Sequence, residues 1–565
     1  MCGEFEQVEC WVAIALQEAK TIFDIIKVYE VKIQVDIAQK QLSKAINTGL
    51  QVLQKLGISF PEKPSQSDIQ LELDTIISHF DDSPIQDLSH LPEMTEPDKL
   101  AAMQILSSIT LPAYLAAPYL MPLLVSKQVS LSIQYGTAFV SPFAYAFYGV
   151  ILCGTARNIE AGYKFGQLSL TLLSHPYTHS LKAKTLFIVN NCIIHWRRHV
   201  RDTLQPLLDA YQIGLENGDL EFAAYCVHCY CFQSFVVGKE LAEIEREMIT
   251  YNEAIRQTRQ ELTLVRNQIY QQVIANLIRS SANPTSLSGK FYNEEKGLLH
   301  HEASNDGLAI FIVYFNKLFL CYLFYEYAQA VENSMMAERY LVQITGTPLG
   351  PIYCLYDSLA RLSTYFESSA QVQEEILNNV AVNQERMLYW AQYAPNNYLH
   401  KYHLVQAETA RVLGQLLEAE EFYEQAIQRA RDNEYLQEEA LAYELAAKFY
   451  LERGREKIAQ LYMQEAHYCY ERWGAMAKVK DLETRYPQFF PQSLDVAFAS
   501  VRTTARTTSN TSSISFDLAT VMKAAQAISS EIELEQLLRS LMQILIENAG
   551  AQTGFLILEI GRAHV

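Results

Sequence analysis

The stretch LAYELAAKFYLERGREKIAQLYMQEA, Leu441 to Ala466, decides the architecture. Tyr443, Ala446, Ala447 and Tyr450 share one helical face, a Gly-containing break follows, and Ala459, Met463 and Ala466 mark the matching face of a second helix. Small residues at fixed places let two antiparallel helices approach, while large ones fill the gap to the next pair. Such a pair cannot bury its apolar faces alone, so copies of it are expected elsewhere in the chain.

They are present at irregular spacing. Tyr145, Tyr148, Gly149, Leu152, Ala161, Phe165 and Leu168 repeat the large, small and aromatic order closely. His403, Gln406, Ala407, Ala410, Ala419, Tyr423 and Ala426 make a weaker copy, and Tyr225, His228, Cys229, Phe232, Leu241, Glu245 and Met248 a degenerate one. The predicted fold class is all-α, a divergent tetratricopeptide-like helical solenoid over residues 1–490. Tyr145, Gly149, Ala161, Phe165, Tyr443, Ala447, Tyr450, Ala459, Met463 and Ala466 are its expected packing residues. Stacked pairs of this kind present an extended concave surface to partners, and small rotations at each junction shift the far end.

Working outward, GISFPEKPSQSD breaks the helical text after VDIAQKQLSKAINTGLQVLQKL, and Ser67 is placed to cap a helix beginning near Asp68. Leu100 to Val125 carries no charge over a length that could cross a bilayer. Pro112, Pro118 and Pro122 interrupt it, and polar residues are scattered through it, so it reads as a buried helical hairpin. Tyr486-Pro487 closes the last long helix. A Ser/Thr-rich linker is assigned to residues 491–515, because its composition cannot bury enough apolar surface to order itself.

A formal charge of −19 argues against a nucleic-acid surface, which needs a basic stripe to neutralise phosphates. The ten Cys are scattered through apolar helical text with no signal peptide, so reduced thiols in a cytoplasmic protein are expected.

Few constellations suggest chemistry. No GxxxxGK[ST] loop and no protein-kinase signature occurs in the sequence. In His300-His301-Glu302-Ala303-Ser304-Asn305, Asn305 stands where a zinc motif needs its second His, so the segment reads as a polar loop or helix start. Cys226, His228, Cys229 and Cys231 cannot converge tetrahedrally from one helix, and read as core residues. Trp196, Arg197, Arg198 and Arg201 form a compact basic cluster, a candidate hold for an acidic partner segment or a phosphate, with an intramolecular salt-bridge set as the plainer reading. The acidic run from Gln415 to Glu424 reads as an exposed helix start. No catalytic, metal or cofactor-binding residue is assigned.

Two ends of the chain carry a resemblance. AHYCYERWGAMAKVKDLETRYPQF at Ala466 to Phe489, FDLATVMKAAQAISSEIELEQLLRSLMQILIENAGAQTGFLIL at Phe516 to Leu558, and GLQVLQKLGISFPEKPSQSDIQLEL at Gly49 to Leu73 resemble the central region of large, cyanobacterial-type multi-sensor signalling proteins. In that family a serine/threonine kinase and an AAA-type ATPase precede a tetratricopeptide-like region, and a GAF sensor and a histidine kinase follow it. The resemblance implies that 516–558 is the first part of a truncated α+β GAF domain. It implies a non-catalytic scaffold and signal-coupling role, with neighbouring domains or other proteins as partners, and homodimerisation through the helix Leu518 to Ile528. ATP and Mg are expected only for parent domains absent from this chain. The last residues, EIGRAHV at 559–565, match a back-translated sequencing adapter and are expected to be read-through. The alternative reading is the helical-repeat regulatory region of an ATPase-linked transcription activator.

Overall fold

The computed structural model describes residues 5–490, apart from positions 20, 40, 81–83, 175 and 282. The expected linker, GAF segment and adapter tail therefore lie outside the described residues. The described chain is a succession of α-helices: α1 Phe5–Glu18, α2 Ile22–Ala38, α3 Leu42–Lys55, α4 Gln66–Ser78, α5 Pro97–Ala116, α6 Met121–Tyr135, α7 Ser141–Gly154 and α8 Ile159–Leu172. There follow α9 Lys182–Cys192, α10 Leu204–Asn217, α11 Leu220–Val236, α12 Leu241–Gln257, α13 Glu261–Ile278, α14 Glu294–Ala303, α15 Gly307–Leu323 and α16 Tyr327–Glu338. The last are α17 Leu349–Ser363, α18 Ala370–Tyr393, α19 Pro395–Val412, α20 Leu416–Asp432, α21 Leu436–Glu452, α22 Glu456–Trp473 and α23 Met476–Arg485.

From α7 onward most successive helices pack as pairs, and every second helix also packs on the next but one: α7 on α9, then α11, α13, α15, α17, α19 and α21 in turn. That arrangement makes an inner and an outer layer. Composition explains which helix goes where. Helix α15, GLAIFIVYFNKLFLCYL, is apolar apart from Asn316 and Lys317 and is buried on nearly every face; α7, α11 and α21 are buried as widely, α21 with Glu438, Glu439 and Glu444 inside. Helix α12 has one stripe, Leu241, Ile244, Met248 and Ile255, and turns the rest of its surface outward.

The repeat face of α21 and α22 is buried throughout: Tyr443, Ala446, Ala447, Tyr450, Ala459, Met463 and Ala466 all lie in the core. In the α7–α8 pair, Tyr145, Gly149 and Phe165 are buried, and Ala161 is half-buried and packed against the core. Gly162, one position on, makes the close approach: a Cβ on Gly149 would stand 2.7 Å from the Gly162 carbonyl oxygen. Gly474, at φ 90°, ends α22 in the left-handed conformation that glycine adopts without a Cβ clash.

The inner layer differs from the expected concave surface. It is wound so tightly that turns far apart in sequence meet: Gln437 Nε2 donates to the Val236 carbonyl at 2.5 Å, and α23 packs on α13. Leu100 to Val125 is a helical hairpin, α5 with Pro112 inside it and α6 with Pro122 in its first turn, where a missing N–H costs nothing. Among the described residues no helix is long and apolar enough to cross a membrane. Helix α4 begins two residues earlier than expected. Ser65, not Ser67, is its cap, and Asp68 closes a reciprocal box by accepting the Ser65 N–H at 2.8 Å. His300-His301-Glu302 ends α14 and does not begin a helix; His301 is stacked on Tyr292.

Candidate functional site

The chemistry-bearing side chains gather where the last helices meet the middle of the chain. Asn397, near the start of α19, is fully buried and uses its whole amide. Its Nδ2 donates to the carbonyls of His195 and Arg198 at 2.7 Å each, and its Oδ1 accepts from the Val200 N–H at 3.1 Å and the Tyr435 hydroxyl at 2.7 Å. One side chain thus satisfies an irregular segment that no helix could satisfy. His195 completes the seam, bonded to the Tyr398 hydroxyl at 2.6 Å and to the Gly346 carbonyl at 2.9 Å. Burial pushes its imidazole down to about 3, so it is neutral in the fold.

One turn on, Lys401 is 2 % exposed. Its ammonium donates to Glu438 at 2.7 Å and to the Asn397 carbonyl at 2.9 Å, over the ring of Tyr435. Burial alone would raise the Glu438 carboxyl. Lys401 and His400 beside it reverse that and hold it below the usual range, so it stays ionised. A second buried carboxylate, Glu444, accepts from the hydroxyls of Tyr325 at 2.5 Å and Tyr470 at 2.9 Å, and from Lys478 at 3.1 Å. Lys478, fully buried, also donates to the Leu323 carbonyl at 2.6 Å. The carbonyls at the end of α15 are therefore tied to α23 through a cation that α21 neutralises. These groups are buried and bonded mainly to one another, and chemically they can clamp.

The basic cluster flanks the same seam. Trp196 is 3 % exposed, donates to the Cys192 carbonyl at 3.0 Å and packs against Trp390 and Tyr398. Arg197, Arg198 and Arg201 are exposed and paired with Glu160, Asp202 and Glu434. The structure thus places the indole inside and the three guanidinium groups in intramolecular salt bridges. Cys226, His228, Cys229 and Cys231 are all buried in α11, with burial pushing the thiols well up. No group of three or more His, Cys, Asp or Glu among the described residues is arranged to hold a metal ion.

Sequence reasoning missed Asn397, Lys401, Glu438, Glu444 and Lys478. A signal existed for Glu444: it stands in the same face as Ala440 and Ala447, where the repeat demands burial. A charge in that stripe needs a partner.

No family model matches the chain. Over 58 residues it is 40% identical to "Hybrid signal transduction histidine kinase G" of Dictyostelium discoideum, a match covering 10% of this chain and 2% of that protein. Among solved structures it is similar to a "Circular tandem repeat protein with novel repeat topology and enhanced subunit contact surfaces", at 10% identity, covering 86% of this chain and 99% of that one. The TM-score there is 0.17, too low to carry an argument. The comparisons thus place a short part of the chain beside a signalling protein, and the structure makes the described region a nearly all-helical stack.

Proposed function

We propose that residues 1–490 are the tetratricopeptide-like, non-catalytic coupling region of a multidomain signal-transduction kinase, joining an upstream serine/threonine kinase and AAA-type ATPase to a downstream GAF sensor and histidine kinase. The observation that carries this is the double clamp of Asn397 and of Glu444 with Lys478. It joins inner helices that are far apart in sequence, so a displacement at one end is passed on as movement of a stiff body and is not absorbed between turns. The short match to a histidine kinase supports the signalling setting. Its partners in this reading are the neighbouring domains of the same polypeptide, in the cytoplasm, with a second copy held through the segment Leu518 to Ile528, whose apolar spacing predicts a helix. ATP and Mg belong to the neighbouring domains.

The coding sequence on either side gives the first test. Kinase, ATPase and sensor domains in frame are expected; their absence sinks the reading, and a helix-turn-helix domain downstream favours an ATPase-linked transcription activator instead. In the full-length protein, Glu444→Ala should weaken the dependence of histidine-kinase output on the upstream domains while leaving their own ATPase rate intact. An unchanged dependence would rule out stiff coupling.

A further inference from the structure

The inner helices α5, α7, α9, α11, α13 and α15 do not close completely on one another. They leave a cavity of about 120 Å³, walled chiefly by Phe147, Val150, Ile188, Cys229, Phe232 and Ile312. That is close to the ~150 Å³ at which an engineered apolar cavity accepts benzene. Polar side chains also reach its wall, among them Asn191, Tyr270, Gln343 and Thr347, and two of them, His228 and Arg266, stand with side-chain groups that no other side chain takes up.

Their hydrogen bonds fix what they can offer. Asn252 Nδ2 donates to Gln271 at 2.7 Å, and Asn267 Nδ2 donates to Asn252 at 2.8 Å, so Asn267 Oδ1 is left to accept the His228 Nδ1–H at 3.2 Å. With Nδ1 carrying the proton, Nε2 of the neutral ring is a lone-pair acceptor. Burial keeps that ring neutral, pushing it down to about 4. Nε2 has no protein partner among the described residues, nor is it one of the side-chain atoms sealed from solvent. Arg266 holds Asp306 through Nη2 at 2.7 Å, which balances its charge, and its Nη1 has no protein partner among the described residues. At this pair the wall therefore offers one acceptor, His228 Nε2, and the free N–H groups of Arg266, whose Nε is buried without a partner, with the guanidinium charge balanced by Asp306.

We propose that this cavity is a binding site for a small, neutral aromatic or alicyclic molecule bearing one hydroxyl group, whose O–H donates to His228 and whose oxygen accepts from Arg266. The apolar body fills the aromatic and aliphatic wall. An anion is disfavoured because Asp306 already neutralises Arg266, and a ligand with no polar atom leaves both groups unpaired. The site stands independently of which parent protein the region belongs to.

Titration of the full chain with phenol, toluene and benzoate, followed by calorimetry and ligand-observed NMR, tests this without any variant. One saturable phenol site is expected, with a dissociation constant on the order of 1 mM, toluene weaker by about tenfold and benzoate weaker still. His228→Asn keeps a donor for Asn267 and withdraws the acceptor from the position of Nε2, its own amide oxygen lying nearer the helix, so it should lower phenol affinity toward that of toluene while leaving toluene unchanged. Leu308→Trp, which fills the cavity from its rim, should abolish both. Phenol that fails to saturate at concentrations the fold tolerates, that binds no better than toluene or benzoate, or that binds a folded Leu308→Trp chain normally, overturns the proposal.

Discussion

The stretch from α5 to α14 and the stretch from α19 to α23 bury polar groups of different kinds. Among the described residues, the buried polar side chains between positions 97 and 300 are all Ser, Thr, Asn, Gln or His, whereas the later stretch buries Lys401, Glu408, Glu438, Glu444 and Lys478. A neutral core holds by shape and by ordinary hydrogen bonds. An ionic core holds only while each charge keeps its partner, and it rejects any register that separates them. The early stretch therefore tolerates the loss of single polar contacts, and the late one does not.

The largest effect should come from taking the nearer counter-charge from a buried ion in the late stretch. Glu444→Ala leaves Lys478 beside the Leu323 carbonyl with Asp481, at 3.7 Å, as its counter-charge, and urea unfolding should show a loss of about 3 kcal/mol, much more than Glu444→Gln. Next is an added methyl where two helices of the early stretch cross backbone to backbone. Gly149→Ala drives its Cβ toward the Gly162 carbonyl, a backbone atom that cannot swing away, and should cost about 1–3 kcal/mol by the same measurement.

Acid acts on both stretches through buried imidazoles, and on the late one through its carboxylates as well. His195 has its folded-state imidazole lowered to about 3 from 6.5, so its contribution is complete above the unfolded value and is lost as pH falls toward 3. Glu408 and Glu438 are also lowered, from 4.5, so theirs is complete above about that value and is lost only as pH falls through their folded range. Melting temperature should therefore begin to fall below about pH 6.5 through the buried imidazoles, and His195→Gln should make that limb shallower, leaving the share of His228, His400 and His403, which burial lowers to about 4, and the steeper loss below pH 4.5. A melting curve flat down to pH 4.5 would break the comparison.

Smaller still is Ser169→Ala in the early stretch, which removes a hydroxyl that donates to the Pro142 carbonyl at 2.6 Å and should cost about 1 kcal/mol. The smallest effect is expected for Arg197→Ala, which removes an exposed pair with Glu160 and should cost under about 1 kcal/mol. Differential scanning calorimetry of the last two variants side by side checks their order.

Periodicity in the sequence was enough to mark the helices, the hairpin at Leu100 to Val125 and the buried face of α21 and α22, because these depend on residues a few positions apart. It did not single out Gly162, the residue after Ala161, which makes the close approach to Gly149. It could not show the clamps. Lys478 lies among charges in AMAKVKDLETR and reads as surface until the end of α15 is placed over it. Trp196 beside two Arg likewise reads as an exposed patch, until Trp390 and Tyr398 close over the ring. A period tells which face is covered, never by what.

Asn397 has a consequence for synthesis. Its bonds to the segment around His195 span 202 residues of chain. At ~5–20 residues per second that separation takes about 10–40 s to translate. Until it is crossed, the carbonyls of His195 and Arg198 and the N–H of Val200 lack their partner. The nascent early stretch thus waits with its seam open, and that interval is when a chaperone or protease would meet it.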